Sequence, residues 1–144
     1  MLTFTQLLPI LAAAIAGYAV AALWYSPALF MKPWMRGVHK TEANLLANKK
    51  EMSRIMVYSF FVSFATAFGL STFLALLDIH TVIESLQIAI LIAFAFVITA
   101  KFSDMLYISR EPHWSRVPQQ LFLIEAGYAV ASLSAMAVVL ALLN

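Results

Sequence analysis

The sequence predicts an all-α fold, a four-helix transmembrane bundle with both termini on the non-cytoplasmic side. Hydrophobic residues make up 63% of the 144 residues and charged residues only 11%, far below the roughly 25% that soluble domains contain. The mean hydropathy of +0.89 agrees. The apolar residues fall in four stretches, residues 7–25, 55–77, 86–108 and 117–143. We therefore expect a single transmembrane domain over residues 1–144.

Each stretch is long enough to cross the membrane as a helix. A span of about 20 residues, rising about 1.5 Å per residue, crosses the hydrocarbon core of a bilayer. None of the four alternates with the period of two that is typical of barrel strands. The first stretch has an alternative interpretation as a cleaved signal peptide, because Ala19-Val20-Ala21 resembles a cleavage site. No Lys or Arg precedes it, however, as one normally does in a signal peptide.

The basic residues predict the orientation. All nine Lys and Arg residues lie on two loops or at their borders. Six belong to the first of these, the basic loop 26–54, and the other three are Lys101, Arg110 and Arg116. Because Lys and Arg concentrate in cytoplasmic loops, both loops are predicted to be cytoplasmic and both termini to lie outside. The three tryptophans fall on the same side, where an aromatic belt is expected.

The basic loop has two parts. Pro27 and Pro33 are expected to break helix and to hold Ser26 and Lys32 extended, in a segment lying in the headgroup layer. From Thr41, which can cap, a helix is predicted to run unbroken into the second span. This basic helix either touches anionic lipid or docks a partner protein.

A short sequence recurs in the first and last spans. Residues 16–23 and 126–133 differ at one position. An inverted duplication, as in transporters, and coincidence in an alanine-rich background both remain open. In each copy small residues four apart share one helix face, which permits close packing. We expect the two faces to pack against each other in one chain, or against their copies in a second chain; their residues are Ala13, Gly17 and Ala21 in the first span and Gly127, Ala131 and Ala135 in the last.

A cluster of ionisable residues is predicted inside the last two spans. Lys101 and Glu125 lie at matched depth on helices joined by a short loop, so we expect them to pair. Asp104 is three residues from Lys101 on one helix face and can share it. Tyr18 and Tyr128 can supply hydroxyl groups nearby. Either Lys101 extends to the cytoplasm while Glu125 is neutral or paired, or the cluster is a polar site for a proton, an ion or a small headgroup.

No catalytic, metal or cofactor signature is present. The absence of cysteine excludes disulfides and thiolate sites, and no HExxH, GxSxG, Walker or dinucleotide pattern occurs. We expect no cofactor, no metal and no nucleic-acid partner. The expected partners are the lipid bilayer and a second copy of the chain, since a four-helix unit this small often needs a copy to enclose anything; a homo-oligomer is favoured, and a dimer above all.

Two motifs resemble a known family. The residues after the first span follow the pattern W-Y-S-P-x-x-F-x-K-x-W-M, with Trp24, Tyr25, Ser26, Pro27, Lys32 and Trp34 among its fixed positions. This pattern is similar to the signature of small bacterial membrane proteins termed domain of unknown function 1761. A weaker likeness, over residues 121–128, departs from the family at Glu125, where members often have Asn. The resemblance covers nearly the whole chain and implies a four-helix, multi-pass protein of the bacterial inner membrane, with no assigned activity.

Three functions remain as hypotheses. The first is a small transporter or channel that uses the cluster of Lys101, Asp104 and Glu125. The second is a non-catalytic scaffold or accessory subunit that acts through the basic loop. The third is a small membrane enzyme acting on a lipid or amphiphile, which is the weakest because no nucleophile–base pair is legible.

Overall fold

The structure, a computed structural model, describes residues 4–47, 49–107 and 116–143. These residues form helices and contain no strand, as the all-α prediction requires. The elements are α1 (Phe4–Trp24), α2 (Met31–Gly37), α3 (Glu42–Ala47), α4 (Lys49–Leu76), α5 (Val82–Ile92), a π-helical segment (Ala93–Ile98), α6 (Thr99–Tyr107) and α7 (Arg116–Leu143).

Four helices in the described residues are long and apolar enough to cross a membrane: α1, α4, the continuous helix from α5 through α6, and α7. Their bounds agree with the four predicted apolar stretches to within a few residues, except that α4 begins six residues early, at Lys49. We call α5 to α6 the third span. The end of the bundle with α2, α3 and the start of α7 is termed the basic end. The opposite end, with the first residues of α1 and the last of α7, is termed the terminal end.

The helices are ordered α4, α1, α7, third span. Extensive contacts join α7 both to α1 and to the third span, and α4 packs mainly on α1. Although a short loop connects α4 to α5, these two helices touch little. Helices joined by a short loop are usually close neighbours, and α4 and α5 are an exception. Buried alanine and glycine on α1, including Ala13 and Gly17, let its backbone approach neighbouring helices closely.

The core lies in the terminal half of the bundle. Its members come from all four spans and include Ile10, Leu70, Ala89 and Leu140, each at most 3% exposed. Ser63 Oγ donates a hydrogen bond to the Ala14 carbonyl at 2.8 Å, which joins α4 to α1. At the basic end the packing differs, because residues 53–59 of α4 are exposed on every side. The bundle is thus closed at its terminal end, and α4 stands apart from the other helices at its basic end.

The π-helical segment turns the third span. Lys101 follows Ala89 by 12 positions, which on an α-helix would place it about 120° away around the axis. A π-helix has roughly 4.4 residues per turn, so its residues each turn about 18° less. Over the six residues of Ala93–Ile98 the correction is roughly 110°, and Lys101 returns to the face on which Ala89 is buried. Thr99 Oγ1 donates to the carbonyls of Ala95 and Phe96 at 2.8 and 3.1 Å, where the regular α-helical ladder is interrupted.

The basic loop departs from prediction at Pro33. This residue lies in the first turn of α2, where its missing N–H would have no helical partner. Lys32 is also helical, so its predicted extended conformation is wrong.

The predicted cap is confirmed, since Thr41 Oγ1 accepts from the Asn44 N–H at 3.3 Å. Whether α3 continues into α4, as predicted, depends on Asn48, which lies outside the described residues.

Candidate functional site

The site is built around an ion pair between the third span and α7. Lys101 Nζ lies 3.1 Å from Glu125 Oε2, and the two side chains are 40% and 22% exposed. The pairing predicted from their matched depth is therefore present. The π-helical segment turns Lys101 toward α7, and the helical backbone of α7 presents Glu125. Opposite charges at this distance satisfy each other, while their partial exposure leaves both accessible.

Two members of the predicted cluster lie elsewhere. Asp104 is exposed and forms no ion pair with any residue that the structure describes. The Tyr18 ring packs edge-on against Phe60 of α4, with ring centroids 6.0 Å apart. The Tyr128 ring does lie at the site, as described below.

A tryptophan fixes the level of the ion pair along the bundle. Trp24 Nε1 donates to the Ile124 carbonyl at 3.0 Å, directly beside Glu125. Its ring lies against Gly127, where an added Cβ would be 2.9 Å from Trp24 Cζ2. Gly127 therefore makes room for the indole ring of α1. It follows that Glu125 is level with the last turn of α1.

Three rings, Tyr25, Trp34 and Tyr128, form an aromatic cluster beside the ion pair. The Tyr25 ring centroid is 5.4 Å from that of Trp34 and 5.3 Å from that of Tyr128. Tyr25 is partly buried and lies within electrostatic reach of Glu125. The cluster joins the end of α1, α2 and α7, and it brings the first family motif next to the second.

The remaining motif residues shape the turn into α2. Trp24 stacks at a tilt on Phe30, with ring centroids 4.8 Å apart. The Ser26 backbone carbonyl accepts hydrogen bonds from the Leu29 and Met31 N–H groups. Ser26 Oγ is buried and has no hydrogen-bond partner among the described residues. Pro27 is exposed at the turn.

Helix α2 packs on the basic end of α7. Met35 is buried, and Gly37 lies so close to Leu121 that an added Cβ would be 2.9 Å from the Leu121 Cβ. Lys32 and Arg36, one turn apart, are exposed on the other side. This helix is amphipathic, with one face on the bundle and a cationic face outward.

The small-residue face of α1 packs within the chain, with Met136 of α7 rather than a small residue beside Gly17. Ala13 and Gly17 are buried, and a Cβ added at Gly17 would collide with Met136 of α7 and approach Ser63 Oγ of α4 to 3.0 Å. On α7 the buried stripe is turned relative to the predicted face. Ala21, Ala131 and Ala135 are only partly buried, and the most buried positions of α7 in this region are Ala129, Ser132, Leu133, Met136, Ala137 and Leu140.

The site combines charged and aromatic side chains. Within the described ranges no three His, Asp or Glu side chains are grouped to hold a metal ion. The site contains the Lys101 ammonium group, the Glu125 carboxylate and, beside them, the rings of the aromatic cluster. His113, a residue of the second basic loop, lies outside the described residues.

Four helices of membrane-spanning length define a small multi-pass membrane protein. The chain belongs to the family described as "Protein of unknown function (DUF1761)", whose model matches residues 8–141, and the resemblance seen in its two motifs is thereby confirmed. Comparison with curated proteins and with solved structures finds no match.

Proposed function

We propose that the protein is a small transporter of the bacterial inner membrane that binds its solute at Lys101 and Glu125 and acts as a homo-oligomer, most simply a dimer. One observation supports this above all. A partly exposed ion pair lies at the end of the bundle where α4 stands apart, while the other half is closed by a packed core. Ionisable groups in membrane helices are costly and usually mark a solute or ion pathway.

A transporter suits this geometry better than a channel does. A channel needs a continuous path, and side chains such as Ile10, Met136 and Leu140 fill the terminal half of the chain. A transporter exposes its site to one side at a time and reaches the other by rocking one group of helices against another. The closed terminal half and the more open basic end correspond to the state in which the site is exposed at the basic end.

The distribution of charge supports a cytoplasmic opening. The exposed cations Lys32, Arg36 and Lys40 lie at the basic end, which the positive-inside rule assigns to the cytoplasm. The site then faces the cytoplasm in the conformation described here. This orientation also places both termini outside.

The surface of α4 supports an oligomer. Large apolar side chains including Ile55, Met56, Phe61 and Val62 are exposed along its basic half. A second copy covering this flank would bury these side chains. The same uncovered flank, together with the cationic face of α2, favours the second candidate function, an accessory subunit whose partner lies against α4.

Solute counterflow tests the transporter. Proteoliposomes are preloaded with unlabelled ethanolamine, glycine, glycerophosphoethanolamine or phosphate and given a trace of the same labelled solute outside. We expect transient accumulation of at least one label with the native chain and none with Lys101→Met/Glu125→Gln. The matched control Lys50→Met/Glu51→Gln also removes one exposed cation and one exposed anion, but away from the site, and it should retain accumulation. No accumulation of any of the four above protein-free liposomes, or equal accumulation with the double variant, would contradict the proposal.

A further inference from the structure

We infer that the Lys101–Glu125 site takes a zwitterion, a ligand in which an ammonium group and an anionic group are separated by a short linker. The headgroup of phosphatidylethanolamine and small soluble zwitterions share this chemistry. The inference rests on the proposed function, because it names the substrate class of the same site.

The charge of the site is the first argument. Lys101 and Glu125 neutralise each other at 3.1 Å. A simple anion that bound Lys101 would leave the Glu125 carboxylate unpaired, and a simple cation would leave the lysine unpaired. Such an unpaired charge is unfavourable where partial burial limits its contact with water. A zwitterion replaces both partners at once, its anionic group at Lys101 and its ammonium group at Glu125, so that no charge is lost.

The aromatic cluster is the second argument. Tyr25, which is within electrostatic reach of Glu125, contacts Trp34 and Tyr128 at centroid distances of 5.4 and 5.3 Å. The faces of tryptophan and tyrosine attract a cation within about 6 Å of the ring centroid. Tyr25 therefore lies near the carboxylate of the pair, where the ammonium group of the ligand would be placed.

The flexibility of Lys101 is the third argument. Its side chain is 40% exposed, and an ammonium on a four-carbon stem can move outward without moving the helix. The pair can therefore open for the ligand by rotation of one side chain. Glu125, at 22% exposure, stays beside the rings and holds the ammonium group.

The level of the site permits access from lipid. The hydrogen bond from Trp24 to Ile124 places Glu125 beside the last turn of α1. Tryptophan prefers the boundary between hydrocarbon and headgroups. A site level with this tryptophan is within reach of a phospholipid headgroup, and a soluble zwitterion reaches it from the basic end.

Binding measurements on the purified, detergent-solubilised full chain test the inference. Three probes are compared by calorimetry: glycerophosphoethanolamine, which is a zwitterion; ethanolamine, a cation; and glycerophosphoglycerol, an anion. We expect glycerophosphoethanolamine to bind at least about ten-fold more tightly than either singly charged probe. Lys101→Met/Glu125→Gln should lose this preference, whereas Lys50→Met/Glu51→Gln should keep it. A melting curve of each variant verifies that it is folded.

Two results would overturn the inference: equal binding of a singly charged probe, or unchanged binding of the zwitterion by the site variant. A preference confined to the native site supports it. Nanodiscs of phosphatidylethanolamine and of phosphatidylglycerol then distinguish the sources, because a lipid ligand raises the melting temperature only in the first, whereas a soluble ligand raises it in both when added. Counterflow of a singly charged solute without zwitterion binding would refute this inference and leave the proposed transporter standing.

Discussion

Separating Lys101 from Glu125 should destabilise the protein through the charge that is left behind. Lys101→Met leaves the Glu125 carboxylate without its partner, and Glu125→Gln leaves the Lys101 ammonium group without its partner. The double variant leaves no unpaired charge. Fully exposed pairs contribute about 0–1 kcal/mol, and breaking a buried pair costs about 3–5 kcal/mol. With side chains 40% and 22% exposed, this pair lies between the two. We expect a coupling energy of about 1–2 kcal/mol. The energy is no larger because an unpaired glutamate can protonate and an unpaired lysine can extend to water.

A double-mutant cycle measured by thermal unfolding in detergent determines this coupling. For a chain of this size 1 kcal/mol corresponds to a shift in melting temperature of roughly 3 °C. Each single variant should therefore melt several degrees below the native chain, and the double variant should recover part of the loss. The swap Lys101→Glu/Glu125→Lys preserves both charges and should also recover part of it. A coupling indistinguishable from zero, with no recovery in either double variant, would refute the pairing.

Further predictions concern packing and hydrogen bonding. Gly127→Leu should lower the melting temperature more than Val138→Leu, because a side chain at 127 displaces the Trp24 ring, whereas 138 already has a bulky residue; equal melting would contradict this. Ser85→Ala should be neutral or slightly stabilising in the same assay, since the buried hydroxyl has no hydrogen-bond partner among the described residues. Ser63→Ala should cost about 1 kcal/mol by removing the hydrogen bond to α1, and unchanged melting would show that this bond contributes nothing.

The sequence predicted the features that depend on local pattern. The four apolar stretches form four helices of membrane-spanning length, and such helices are recognised from length and hydropathy alone. The Lys101–Glu125 pair followed from counting residues from the ends of two connected spans. Thr41 was recognised as a cap because its hydroxyl acts on a backbone group three residues away.

Other features depend on tertiary contacts and were missed. Gly127 was assigned to helix–helix packing, but its neighbour is the ring of Trp24, which the sequence places 103 positions away. The π-helical segment Ala93–Ile98 has the same apolar composition as an ordinary span. The sequence therefore contains no pattern from which its altered helical rotation could be predicted. The aromatic cluster required the turn at Ser26 to fold α2 back on α7. A Pro33 in the first turn of a helix, the position where proline is tolerated, was the available signal for that turn.

Accessibility of the ion-pair position tests most directly whether the site opens to one side only. The native chain contains no cysteine, so a single introduced thiol reports on its own position. In the Lys101→Met background, Glu125→Cys should react with a membrane-impermeant thiol reagent in inside-out vesicles and not in intact cells. Ala137→Cys, at a fully buried core position, should react in neither. Labelling of position 125 in intact cells, or equal labelling of both positions, would contradict a site that opens to the cytoplasm above a closed core.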